Sequence, residues 1–202
     1  MAFFRKTGFF LTVAVTICAT LSGCGWQSIP QSKNAVDAAA AEVFNQYKRR
    51  ADLIPNLVST VQGYAKHESK TLIDVTEARA KATSVTVDPS KVSPAQLLEF
   101  QRAQGSLSQA LGRLMVVSEN YPQLKADANF RDLQAQLEGT ENRITVARQR
   151  HIESIKSFND LVTVPPYSWT NGLLYHFEKM AQWDVSAAEK PTVEAAPKVE
   201  FK

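Results

Sequence analysis

From about Lys33 to Thr83, apolar side chains recur at Val36, Ala40, Val43, Tyr47, Ala51, Ile54, Val58, Val61, Ala65, Leu72, Val75 and Ala82. The steps are mostly fours and threes, the signature of a helix with one packed face. The step Val43–Tyr47–Ala51 is one four too many and reads as a local stutter. Pro55 follows it. A proline inside a helix removes an N–H and crowds the carbonyl one turn back. The pattern therefore predicts a kink, or a restart capped by Asp52 with Pro55 in the first new turn. A second helix is predicted from Ser93-Pro94-Ala95-Gln96, a capping box with Pro at the first helical position, to about Glu119. Leu97, Leu107, Leu111 and Leu114 share one of its faces. Gly105, Ser108 and Gly112 form a small-residue stripe beside them, expected to receive a neighbouring helix of the same chain. Pro122 ends this helix. A third runs from about Asn129, read as its cap, to about Thr163, with a three-four seam from Phe130 to Val162. That seam is Phe130, Leu133, Leu137, Thr140, Ile144, Ala147, His151, Ser154, Phe158 and Val162, and Pro165-Pro166 stops it.

Helix lengths then suggest an architecture. At 1.5 Å per residue the second and third helices span roughly 40 and 50 Å, and an unbroken first helix roughly 75 Å. Breaking the first near Pro55 leaves a second half of about 43 Å that matches the others. The residues before Pro55 would pack back as another helix or extend as a stalk. No segment alternates with period two for long. The expected fold is an all-α bundle of long helices occupying residues 33–183. Val85–Val92, with Asp88-Pro89, reads as a loop, Leu173–Trp183 as a short aromatic segment, and 184–202 as a disordered tail rich in Ala, Lys, Glu and Pro.

The first residues follow a different pattern. Arg5 and Lys6 precede an apolar run, Phe9 to Leu21, the length of a signal-peptide core and short for a membrane span. Leu21-Ser22-Gly23-Cys24 follows at once and resembles a bacterial lipobox, in which the cysteine is acylated and becomes the new N-terminus. Residues 1–23 are therefore read as a lipoprotein signal peptide and 24–32 as a lipidated tether containing Trp26. Cys18 would leave with the leader and Cys24 would carry lipid, so the mature chain would hold neither free thiol nor disulfide. Two or three acyl chains anchor firmly where one is marginal. Gly25, rather than Asp, follows the cysteine. In a cell with two membranes this favours the outer membrane, facing the periplasm; in a single-membrane cell the address is the plasma membrane.

Charge narrows the function classes. Of 23 basic residues, Arg5 and Lys6 belong to the leader, leaving 21 against 20 acidic ones. That balance supplies no footprint for nucleic acid and no polybasic patch for anionic lipid. Enzyme motifs are incomplete. His67-Glu68 opens an HExxH, but the fifth position is Thr71. Glu138 and Glu141 have di-iron spacing without the following His. There is no GxSxG elbow, P-loop or Rossmann glycine pattern. We expect no catalytic residues, no metal and no cofactor.

The longer motifs are more specific. Arg49-Arg50-Ala51-Asp52-Leu53-Ile54-Pro55-Asn56-Leu57-Val58 leads into Thr60-Val61, Gly63-Tyr64-Ala65 and His67-Glu68. Ala78-Arg79 and Glu119-Asn120-Tyr121-Pro122-Gln123-Leu124-Lys125-Ala126 come later. After Phe130 stands Leu133-Gln134-Ala135-Gln136-Leu137-Glu138-Gly139-Thr140-Glu141-Asn142-Arg143-Ile144, then Ala147-Arg148. Together these resemble the LemA family over about Val36 to Phe177. The resemblance implies an envelope protein with a single N-terminal anchor and an exported domain of long antiparallel helices, an up-and-down four-helix bundle, without an established reaction. Two departures stand out. The usual transmembrane anchor is replaced by a lipobox, and His151-Ile152 stands where the family tends to carry Tyr-Asn, so a polar contact made by that Asn is missing.

The motif residues Asp52, Pro55, Asn56, His67, Glu68, Arg79, Glu119, Tyr121, Pro122, Glu138, Glu141, Asn142, Arg143 and Arg148 admit two readings. One is a polar network that sets helix register; the other is a partner or ligand site. The functional expectation is a non-enzymatic scaffold or adaptor, held to the membrane by lipid on Cys24 and presenting the Asp52–Glu68 segment to another envelope protein. The alternative is ligand or metal sensing through His67, Glu138 and Glu141. Hydrolysis supporting envelope turnover is a weaker third.

Overall fold

The computed structural model describes residues 26–85 and 93–180. The segment read as a signal peptide (1–23), Cys24, most of the segment read as a loop (85–92) and the segment read as a tail (184–202) lie outside the described residues. All regular structure among the described residues is helical, as expected. The helices are α1 (Ser28–Tyr64), α2 (Ser69–Ser84), α3 (Pro94–Ser118), α4 (Pro122–Ala126), α5 (Ala128–Thr163) and α6 (Tyr167–Thr170), followed by a π-helical turn, Asn171–Tyr175.

The frame is one long antiparallel pair. α1 has 37 residues and α5 has 36, so each spans about 55 Å, and they pack together along their length. The α2/α3 hairpin packs on the distal part of this pair, the end where α1 turns into α2. There Ile54, Leu57 and Val61 of α1 meet Leu72, Val75, Ala78 and Ala82 of α2 and Leu107, Ala110 and Leu114 of α3. Toward the proximal end, where α1 begins, a second core joins Ile29, Val36, Val43 and Tyr47 to Ile144, Ala147, Ile155, Phe158 and Val162. The N-terminal end of α3 reaches it through Phe100, whose ring stands edge-on to Phe44 and Tyr47. The chain after α5 folds back here: Phe177 packs on Phe158, and Asn159 brackets Met180 with two hydrogen bonds.

Three boundaries differ from expectation. The first helix does not restart at Pro55; it runs through the proline to Tyr64 and turns at Ala65–Glu68. The residues before Pro55 are therefore core rather than stalk. Turning at Ala65 lets the four apolar positions of α2 fold back onto α1, where a continued helix would leave them in solvent. Asp52 caps nothing and pairs at the surface with Lys48. The cap of α5 is Asp127, not Asn129: its carboxylate accepts from the Phe130 N–H at 2.9 Å. By contrast, the Ser93–Gln96 capping box of α3 forms with both reciprocal bonds. Pro122 both follows α3 and opens the one-turn helix α4.

Candidate functional site

The apolar stutter read at Val43–Tyr47–Ala51 has a physical cause. Arg50 is only 3% exposed and occupies a core position of α1. Counting it, the seam runs Val43, Tyr47, Arg50, Ile54, Leu57, Val61 in regular fours and threes. A buried guanidinium is tolerated only when acceptors replace its water. Here Nη1 donates to Glu141 of α5 at 2.5 Å. Nη2 donates to the Gln104 carbonyl at 3.2 Å and to Ser108 Oγ at 3.1 Å, both on α3. The cation also lies over the Tyr47 ring, 5.6 Å from its centroid. Arg50 thus joins α1, α3 and α5. Buried Gln104 extends the network toward α2 through the Ala82 carbonyl. Burial raises the Tyr47 hydroxyl above its ordinary pKa, against the opposing pull of Arg148 and Arg50.

A second polar contact explains how α1 survives its proline. Pro55 has no N–H, so the carbonyl of Ala51, one turn earlier, loses its helical donor. Ala51 is 2% exposed, and water cannot readily replace that donor. Arg79 Nε, from α2, donates to this carbonyl at 2.8 Å. Pro55 and Arg79 are therefore one device: the proline opens an acceptor and the arginine fills it, locking α2 against α1.

Two depressions flank these contacts. One, of about 250 Å³, lies between α3 and α5; Arg50 reaches it, with Ser108, Gly112, Glu138 and Glu141 among its walls. A Cβ added at Gly105 or Gly112 would meet nothing within 4 Å, so among the described residues no helix packs on the small-residue stripe, contrary to expectation. The other is an open groove of about 780 Å³ between the distal part of α1 and α2. Val58, Leu72 and Ile73 supply its apolar surface, and Gln62, Lys66 and Glu77 its polar surface. Ile73 is 54% exposed.

Both the Arg50–Glu141 bridge and the Pro55–Arg79 pair fall inside a run that matches a known family model. The LemA family model aligns with residues 39–201. The chain belongs to the LemA family. It is similar to Protein LemA of Metamycoplasma hominis, with 25% identity over 141 residues, 70% of this chain and 59% of that protein. The chain thus spans less than two thirds of that relative's length.

The other LemA-motif residues fall into separate places. At the distal corner, Tyr121 donates to Glu68 at 3.2 Å and Tyr64 donates to Asp127 at 2.9 Å. Those two bonds tie the α1–α2 corner to the α3–α4 turn and to the α4–α5 turn. Desolvation, then the bond to Glu68, raises the Tyr121 pKa; the bond to Asp127 raises that of Tyr64. The Phe130 N–H, followed by Tyr64, holds the Asp127 carboxyl below its ordinary value. Glu119 pairs with Lys125 at 2.6 Å. Arg143 donates to Thr140 and to Gln46 across the α1–α5 interface. Arg148 hydrogen-bonds the buried Tyr47. Asn56, His67 and Asn142 are exposed.

His67 does not join Glu138 and Glu141. Glu141 sits level with Arg50, and α1 continues 14 residues past Arg50 before its end at Tyr64, about 21 Å along the axis. Among the described residues no three His, Cys, Asp or Glu side chains lie close enough to share a metal ion. Arg50, Gln104 and Ser108 were not singled out from sequence as network members. Arg50 could have been found: its i+3 and i−4 spacing to Tyr47 and Ile54 puts it on the buried stripe. Gln104 and Ser108 carry no such signal, since exposed helical Gln and Ser are common.

Proposed function

We propose that this LemA-family domain is a lipid-anchored adaptor of the bacterial cell envelope, tethered through Cys24 and docking a helical segment of another envelope protein. The observation that carries the docking half is the α1–α2 groove. It is open, runs between two helices joined by the Arg79–Ala51 hydrogen bond, and offers an apolar strip beside polar rims. That is the surface an amphipathic helix takes. Its α1 wall, Val58 to Lys66, falls in the Asp52–Glu68 region where the LemA motif is densest. The anchoring half rests on the lipobox sequence. Among the described residues no helix is long and apolar enough to cross a membrane. Anchoring confines the domain to two dimensions and raises its effective concentration toward membrane partners. With Gly25 after the cysteine, the address is the outer membrane of a two-membrane cell.

The test is photo-crosslinking in intact cells from position 73, in the groove, and from the exposed position 146 on α5 as control. A discrete protein adduct from 73 alone, lost in Cys24→Ala, is the expected result. Equal adducts from both positions, or none from 73, overturn the docking assignment.

A ligand-sensing reading has one observation in its favour: Glu138 and Glu141 border the cleft that Arg50 reaches. At about 250 Å³ it lies below the usual range of small-molecule sites, about 300–1,000 Å³. Thermal-shift screening with elemental analysis decides it; a metal or a shift abolished by Glu138→Gln would revive it.

A further inference from the structure

The proximal end of the molecule has a composition unlike the rest. Two segments build it, residues 26–32 and 161–175, and neither contains an Asp, Glu, Lys or Arg. Within them Trp26 is 64% exposed, Val164 53%, Trp169 71%, Leu173 77% and Leu174 46%. These five account for half of the large apolar residues exposed among the described residues. The segments are tied together: the Tyr175 hydroxyl donates to the Trp26 carbonyl at 2.6 Å, and Tyr175 stacks on Phe177, which packs on Phe158. The exposed side chains thus ride on a braced corner. Asn171 fixes that corner with bonds to both backbone groups of Phe177. Charged side chains resume at Lys33 and Asp160, which adjoin the two segments, and at Glu178 and Lys179; Lys33 is paired with Asp37.

Trp26 is two residues from Cys24, and two residues reach at most about 7 Å. Whatever lipid Cys24 carries enters the bilayer within that distance of this corner. Tryptophan is enriched where an apolar ring meets the headgroup region, and uncharged polar neighbours such as Ser168, Thr170 and Asn171 are tolerated there. Charged side chains would resist that depth.

We infer that this uncharged corner, formed by Trp26, Val164, Trp169, Leu173 and Leu174, is a membrane-docking face that seats the proximal end of the α1/α5 pair in the lipid headgroup layer. It rests on the anchored reading above for its biological setting. The long helices then stand away from the membrane, and the α1–α2 groove is carried tens of ångströms out. The acyl chains supply attachment; the corner supplies orientation.

The test uses the full chain purified from membranes, with Trp26→Phe and Trp183→Phe so that Trp169 alone reports. It is reconstituted in phosphatidylcholine vesicles with and without brominated acyl chains. Trp169 emission is expected to fall at least about twofold in the brominated vesicles, as for a ring about 5–10 Å deep. Adding Leu173→Glu and Leu174→Glu, both at exposed positions, is expected to abolish most of that quenching with the helical circular dichroism unchanged. The same chain carrying Cys18→Ser and coupled through Cys24 to a maleimide lipid repeats the measurement without biological acylation. Mass analysis of Cys24 from cells tests the anchor separately, so an unacylated cysteine with quenching in the coupled protein removes the anchor and keeps the face. Equal emission in both vesicle types overturns the face, whatever Cys24 carries.

Discussion

Replacing Arg79 by Met should reveal how much of the α1–α2 register depends on filling the gap left by Pro55. The substitution keeps an unbranched stem of similar packing and removes the Nε donor. The Ala51 carbonyl is then left buried without a partner. Leaving such a group unsatisfied costs about 1–3 kcal/mol, and hydrogen bonds to charged donors lie at about 1.5–3 kcal/mol. We expect a loss of about 2 kcal/mol, which for a domain of this size lowers Tm by about 4–8 °C. The informative comparison is the same substitution in a Pro55→Ala background. There the residue 55 N–H returns to Ala51, and the carbonyl no longer needs Arg79. Arg79→Met should then cost less than about 0.5 kcal/mol, the range of an ordinary surface change. The four proteins form a double-mutant cycle, read by urea unfolding and thermal melts, with a coupling energy of about 1.5 kcal/mol or more. An equal cost of Arg79→Met in both backgrounds would refute the pairing and make Arg79 an ordinary surface arginine.

Other substitutions probe the remaining contacts. Glu141→Ala should destabilise by about 2 kcal/mol, between the values for exposed and buried pairs because Arg50 is buried and Glu141 is open to solvent; in an Arg50→Met background its unfolding midpoint should barely move. Gly105→Ala and Gly112→Ala should each stabilise by about 0.5–1 kcal/mol, since a helical Gly is costly and the added methyl meets open space; a fall in Tm would mean the stripe is packed. Burial holds His151 below its ordinary value of 6.5, with Asp37 opposing. The folded state therefore binds that proton less readily than the unfolded chain, and stability should decline as pH falls below about 6.5 toward the depressed value. His151→Tyr should remove that decline, as followed by melts between pH 7.5 and 5. Asp127→Ala should lower Tm and speed hydrogen exchange in the first turn of α5, while Asp127→Asn, an equally good cap, should retain most of the protection.

The three-four spacing in α3 and α5 made those helices legible in the sequence to within two residues, because long amphipathic helices with strong stops leave few alternatives. The prolines were harder. Pro94 and Pro122 do sit in first turns, but Pro55 sits inside α1, because a donor from another helix fills the gap it leaves. That donor, Arg79, is 24 residues away and no local rule pairs them. The turn at Ala65–Glu68 has no proline and no glycine at its corner; it is set by where α2 can bury Leu72 and Val75, a tertiary fact. Arg50 was hidden for a different reason. A charged residue on a seam reads as a break in the pattern until acceptors on α3 and α5 are seen around it. The Gly105–Gly112 stripe has no neighbour helix among the described residues, since small residues permit close approach without requiring it. The segment expected to be a tether, 24–32, is instead helical from Ser28, with Ile29 fully buried, because the residues after α5 return to cover it.

The most direct measurement on the account is the mass of the N-terminal peptide of the mature protein isolated from cell membranes. An anchored adaptor predicts a chain that begins at Cys24 and carries a diacylglyceryl group, with residues 1–23 gone. A chain cleaved elsewhere, or one in which Cys24 keeps a free thiol, would contradict it.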